Sequence, residues 1–125
     1  MAKILIAEDE PDIRILVKFT LEFAGHQVVT VENGVEALET VPSVMPDLVL
    51  MDVRMPRMDG YEACIAIKKD PSTQHIPVVF LSAKGQEAEI RTGLEAGAVE
   101  YLLKPFAPDD LTERVNEILA RYGKS

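Results

Sequence analysis

Five short apolar runs, Ile4 to Ala7, Val28 to Val31, Leu48 to Met51, Val78 to Leu81 and Tyr101 to Leu103, constrain this 125-residue chain more than any other feature. None alternates strictly between apolar and polar residues, so each reads as a strand buried on both faces. Between them lie segments of helical period. The clearest carries Ile13, Val17, Leu21 and Ala24 on one face, opened by Pro11 and stopped by Gly25. A second starts after Asn33-Gly34, with Asn33 as N-cap, Glu36 three residues on, and Val35 and Leu38 facing in; it is expected to end near Pro42. A third runs from about Asp59 to Lys69, closed by Asp70-Pro71, with Tyr61, Cys64, Ile65 and Lys68 at helical spacing. The fourth spans Gln86 to Ala96 with Ile90 and Leu94 inward. The last sets Leu111, Val115, Ile118, Leu119 and Tyr122 on one face after Pro108 and Asp109. Strands alternating with helices imply a parallel sheet covered on both sides, an α/β architecture formed as one domain over residues 1–125.

Composition narrows the function classes. No stretch approaches the roughly 18 apolar residues of a membrane span, and MAKILIAEDE turns acidic too early for a secretory signal, so the expected compartment is the cytoplasm with no membrane partner. A net charge of −8 repels phosphate backbones, which argues against direct nucleic-acid binding by this domain and suits one that gathers carboxylates around a cation. A single cysteine, Cys64, excludes an internal disulfide, and with only His26 and His75 beside it there is no zinc set. Cys64 reads as a small buried hydrophobe, and both histidines read as exposed loop residues.

In parallel sheets ligands sit beyond the carboxyl ends of the strands. After the first run come Glu8, Asp9 and Glu10, after the third Asp52, after the fourth Ser82 and after the fifth Lys104. The second run ends in Glu32, but in the flavodoxin-like order 2-1-3-4-5 that strand is an edge. If Glu8, Asp9 and Asp52 share a cleft, two like charges about 4 Å apart repel by about 4 kcal/mol at an effective dielectric of about 20. A cation must offset this, and oxygen ligands without thiol or imidazole select Mg²⁺ or a similar ion. Lys104 adds a point donor suited to phosphate oxygens. With metal, ammonium and the Ser82 hydroxyl around it, Asp52 is placed to act as nucleophile toward a phosphoryl group and form an acyl phosphate. Glu10 reads as solvated charge at a helix start.

The early acids EDE, the stretch LVLMDVRMPRMDGYE, FLSA, and YLLKPF near the end together resemble the response-regulator receiver domains of the CheY-like family, in order and spacing over essentially the whole length. The resemblance implies a flavodoxin-like (βα)5 three-layer sandwich with strand order 2-1-3-4-5. It further implies phosphorylation of Asp52 by a sensor histidine kinase, a phosphotransfer protein or a small phosphodonor. Mg²⁺ would be bound through Glu8, Asp9, Asp52 and the backbone carbonyl of Arg54. Ser82 and Lys104 would hold the phosphoryl group, and Tyr101 would rotate inward as Ser82 turns. The readout would lie on the fourth helix, fifth strand and fifth helix, facing an effector or partner protein, and the Lys104-Pro105 bond would be cis. Such a chain catalyses only its own phosphorylation and dephosphorylation. Met55, Met58 and Gly60 would shape the loop after Asp52, Gly60 by admitting unusual backbone angles.

Two residues depart from the commonest form of the pattern. Glu8 stands for an aspartate, with contact to the ion through water as the expected adjustment, and Ser82 stands for a threonine. Arg54 and Lys84, two residues after Asp52 and Ser82, bring two cations to positions that can gate attacking water. Arg91, Glu100, Asp110 and Arg114 put both signs of charge on the readout face, which would permit a symmetric phosphorylation-dependent dimer with reciprocal ion pairs. The competing readings are a pseudo-receiver that only docks proteins, a flavin-binding domain of the same fold, and a Mg²⁺-dependent aspartyl phosphatase. The intact set of Asp9, Asp52, Ser82 and Lys104 speaks against the first. A missing phosphate-cradling loop after the first strand speaks against the second, and Arg54 at the position of a second acid against the third.

Overall fold

The computed structural model describes residues 2–83 and 86–122. It contains β1 (Lys3–Ala7), α1 (Pro11–Phe23), β2 (Gln27–Val31), α2 (Gly34–Val44), β3 (Leu48–Asp52), α3 (Gly60–Lys69), β4 (Val78–Ser82), α4 (Glu87–Glu95), β5 (Glu100–Leu103) and α5 (Pro108–Tyr122). The strands form one parallel sheet in the order β2-β1-β3-β4-β5. That is the flavodoxin-like (βα)5 sandwich expected from the sequence.

The unbroken apolar runs have a direct structural cause. Successive strand residues point to opposite faces, and both faces are covered. Leu5, Val49, Met51, Val78 and Phe80 pack with Ala37 and Val41 of α2 and Ala63, Cys64 and Ile67 of α3. Ile4, Ile6, Leu48, Leu50, Val79 and Leu81 pack with Val17 and Leu21 of α1 and with Leu111, Val115, Ile118 and Leu119 of α5. The buried faces of the helices lie on the two faces of the sheet, and α2 and α3 start at the capping signals. The Asn33 side chain accepts from the Glu36 N–H at 2.9 Å, and Asp59 and Glu62 form a reciprocal capping box that opens α3.

Several expectations need correction. α2 does not stop at Pro42 but continues to Val44, where Met45 adopts a left-handed conformation and its N–H closes on the Val41 carbonyl at 2.8 Å. Near a helix end the proline removes a single backbone bond, and burial of Ala37 and Val41 offsets that loss. Leu94 is 48 % exposed, and the inward position of α4 belongs to Gly93. A Cβ on Gly93 would lie 3.0 Å from both the Phe80 and Tyr101 rings, so the helix approaches the sheet where only glycine fits. Ile65 and Tyr122 are exposed as well. Gly60 is required for another reason than backbone angle. An added Cβ would collide with the Asp52 carbonyl, while the left-handed residue of this loop is Arg57. His26 is half-buried rather than exposed, with Nδ1 accepting from the Ala2 N–H and Nε2 facing the Asn116 side-chain oxygen at 3.0 Å. Among the described residues no helix is long and apolar enough to cross a membrane.

Candidate functional site

Strand order and register bring the polar residues after the apolar runs to one edge. Asp52 is the last residue of β3 and sits in register with Leu81, one residue before Ser82 ends β4. The main chain at Ser82 accepts from the Lys104 N–H at 2.8 Å, which draws the residue after β5 to the same place. On the other side β1 pairs with β3 up to Ala7 and Met51, so Glu8 follows level with Asp52. The Glu8 N–H continues the sheet by donating to the Val31 carbonyl at 3.1 Å.

The side chains close the cluster. Carboxylate oxygens of Glu8, Asp9 and Asp52 all lie within 4.8 Å of one another. Lys104 Nζ donates to Glu8 Oε1 at 2.8 Å and stands 3.5 Å from Asp52 Oδ1. Glu8 is fully buried, Asp52 and Ser82 are buried, and Asp9 is exposed at the rim. Asp9, Glu10, Asp52, Arg54, Ser82, Ala83 and Lys104 line a pocket of about 270 Å³. The site therefore has a buried wall, formed by Glu8, Asp52 and Ser82, and an exposed mouth.

Burial dominates the electrostatics. It pushes the Glu8 carboxyl up to about 7, helped by the Asp52 charge and opposed by the Lys104 bond. The Asp52 carboxyl is raised too, by burial first, against the pull of Lys104 and an N–H from the Arg54 main chain. Burial lowers the Lys104 ammonium, but its bond to Glu8 and the Asp52 charge more than offset this, leaving it above its ordinary value. Three acids and one ammonium leave a local excess of negative charge, and the converging donors are hard oxygens. That set fits a small divalent cation of the Mg²⁺ type.

A stability test follows from Glu8. Above about pH 4.5 the unfolded chain releases a proton that the folded chain keeps until about pH 7. Stability therefore falls as pH rises through that window and levels off above it. In chelator, Glu8→Gln is expected to melt above wild type by a margin that opens between about pH 4.5 and 7 and is constant beyond. Calorimetry at closely spaced pH values measures it, and a margin that closes over the window would contradict the assignment.

The structure brings together Glu8, Asp9, Asp52, Ser82 and Lys104, with Arg54 exposed at the mouth and Glu10 solvated beside it. Lys84 lies outside the described residues. Tyr101 does not line this pocket; it is buried on β5, its ring 6.3 Å from that of Phe80 and its hydroxyl bonded to Tyr61. The Lys104-Pro105 peptide is cis. Two features escaped the sequence reading. One is the direct Glu8–Lys104 bond, between residues 96 positions apart. The other is Arg14 on the first turn of α1, whose Nη1 donates to the Glu8 carbonyl at 2.8 Å and the Asp9 carbonyl at 3.5 Å. An arginine one turn into a helix that follows consecutive acids was the available signal.

Comparison with known proteins gives consistent similarities. The family model described as the response regulator receiver domain matches residues 4–116. The probable transcriptional regulator ycf27 of Guillardia theta is 42% identical over 98% of this chain and 47% of its own length. The phosphate regulon transcriptional regulatory protein PhoB of Pseudomonas aeruginosa is 39% identical over 96% of this chain and 52% of its own. The chain thus spans about half the length of the curated relatives it matches. Among solved structures, the chemotaxis protein CheY4 of Vibrio cholerae superposes with a TM-score of 0.91 at 33% identity, covering 95% of this chain and 99% of that one.

Proposed function

The chain belongs to the response regulator receiver family, and from that premise we propose that it accepts the phosphoryl group on Asp52 and passes the change to the α4-β5-α5 face. One observation carries the reading: oxygens of three acids from the ends of β1 and β3 converge within 4.8 Å, opposite a lysine from the end of β5.

An Asp52 carboxylate oxygen attacks the phosphorus of a phosphohistidine or acetyl phosphate. A P–O bond to Asp52 forms as the bond to the leaving imidazole or acetate breaks, yielding an acyl phosphate. Lys104 neutralises one phosphoryl oxygen and the Ser82 hydroxyl donates to another, which is most of what this transfer demands of a protein. Glu8, Asp9, Asp52 and the Arg54 main-chain carbonyl would hold Mg²⁺, which when bound supplies Lewis-acid neutralisation of the same oxygens. A sensor histidine kinase or phosphotransfer protein is the donor. The output goes to an effector or partner protein, and phosphorylation shifts a population between two arrangements rather than building a new fold. Leu94 and Leu103, each 48 % exposed, give the readout face its apolar contacts. Arg114 already pairs with Glu100 at 2.8 Å and Arg91 with Glu87 at 3.2 Å within the chain, so a dimer through this face would have to exchange those pairs.

Incubation with Mg²⁺ and acetyl phosphate tests the reading by intact mass. Wild type is expected to gain one phosphoryl group and to lose most of that gain in chelator; no gain with any donor would overturn the proposal. Lys104→Met is expected to accept the group roughly a hundredfold more slowly, the scale of losing one charge-stabilising donor. Its Tyr101 ring resonances should not shift on phosphorylation, and a shift of wild-type size would remove Lys104 from the relay.

A further inference from the structure

We propose that Arg14 is a positioning residue for the divalent-cation site, an inference that rests on the receiver reading above and adds a part outside the acid, hydroxyl and lysine set. Three consecutive acids, Glu8, Asp9 and Glu10, separate β1 from α1. The repulsion among Glu8, Asp9 and Asp52, whose carboxylate oxygens lie within 4.8 Å of one another, works against holding this loop closed. Arg14 holds all three carbonyls of the loop. Its main-chain N–H donates to Glu10 at 2.9 Å, and its guanidinium Nη1 donates to Glu8 at 2.8 Å and to Asp9 at 3.5 Å.

The choice of acceptor matters. The guanidinium takes carbonyl oxygens rather than carboxylate oxygens, so it offsets part of the negative charge from behind the loop without consuming a ligand. Asp9 benefits most. Glu8 is fixed by the sheet bond of its N–H and by Lys104, whereas Asp9 is exposed and its placement depends on how its main chain is held. One guanidinium nitrogen, Nη1, faces both carbonyls, and the rigid plane of the group fixes where that nitrogen sits; a lysine ammonium on its flexible stem is not held at that point. Partners behind metal ligands commonly contribute tenfold or more to affinity in this way.

The sign of the effect separates positioning from simple charge. Removing a cation near a metal site by charge alone tightens metal binding, and Lys18→Met, one turn further along α1, is the control for that. Mn²⁺ binding followed by the loss of free-ion electron paramagnetic resonance reads the dissociation constant directly, with no phosphoryl transfer involved. Arg14→Met is expected to bind Mn²⁺ roughly tenfold more weakly than wild type, Arg14→Lys severalfold more weakly, and Lys18→Met as tightly or more tightly. A folded Arg14→Met with wild-type or tighter binding overturns the proposal while leaving the receiver reading intact. Should Arg14→Met fail to fold, a folded Arg14→Lys with wild-type affinity overturns it equally. A wild type that takes up no Mn²⁺ overturns both.

Discussion

Asp52→Asn is expected to take up no phosphoryl group from acetyl phosphate or from any kinase that labels the wild type, and in chelator to melt at a higher temperature than wild type once the pH is well above the ordinary carboxylate range. The first half follows from chemistry, because an amide offers neither a charged oxygen nucleophile nor a ligand for the cation. The second half follows from burial. The Asp52 carboxyl is raised above its ordinary range, by desolvation first and against the attraction of Lys104. An acid raised in this way weakens the fold wherever the unfolded chain has already released its proton. The cost is absent below the unfolded value near 3.8, grows as pH rises through the folded value and is fully present above it. Asparagine can still accept from the Arg54 N–H, and Lys104 keeps its 2.8 Å bond to Glu8. Intact mass with and without donor, and calorimetry near pH 4 and pH 8, measure both halves. A phosphoryl gain of wild-type size in the variant, or a lower melting temperature at pH 8, would show that the buried acid is not the acceptor or not a burden. A site that destabilises the resting protein is the usual companion of function held above a stability threshold.

How much of this was readable before any coordinates depends on the range of the interaction. Asp52, Glu8, Asp9, Ser82 and Lys104 were legible because each follows an apolar run, and a parallel sheet necessarily gathers the carboxyl ends of its strands at one edge. Strand limits moved by at most one residue: β1, β3 and β4 are buried on both faces, and the edge strands β2 and β5, though partly exposed, still stand out as apolar runs between turn residues. What the sequence hid was distance between elements. Hydropathy selected Leu94 as the inward residue of α4, since glycine carries no apolar signal, yet the close approach of that helix to Phe80 and Tyr101 puts Gly93 there. Pro42 read as a stop, because propensity is local while the burial that carries α2 past it is not. The Glu8–Lys104 bond joins residues at opposite ends of the chain, and the tie of His26 to Asn116 spans 90 positions, so no local pattern encodes either.

Phe80→Ala is expected to cost about 3–5 kcal/mol, a fall of roughly 10–20 °C in Tm for a domain of this size. The ring is fully buried in β4, edge-on to Tyr61 at 5.2 Å and to Tyr101 at 6.3 Å. Two of its other neighbours are glycines: a Cβ built on Gly60 would lie 3.1 Å from the ring and one on Gly93 3.0 Å from it. Those positions have no side chain to swing into the space a lost phenyl group leaves, and Gly60 is itself pressed against the Asp52 carbonyl, so the wall cannot move inward without disturbing the acceptor loop. A cavity that cannot collapse puts the substitution toward the upper end of the range. Phe80→Leu, which keeps most of the volume, should cost less than about 1.5 kcal/mol. Urea unfolding of the three proteins reads these losses. A loss below about 1.5 kcal/mol for the alanine variant would mean that α3 and α4 close over the gap after all. The functional consequence is confined to one side. With the ring gone, Tyr101 loses the surface that fixes its inner position while Asp52, Lys104 and Glu8 keep their contacts. Phosphoryl uptake by the folded variant should therefore persist, and the resonance shift expected at Tyr101 in wild type should be lost.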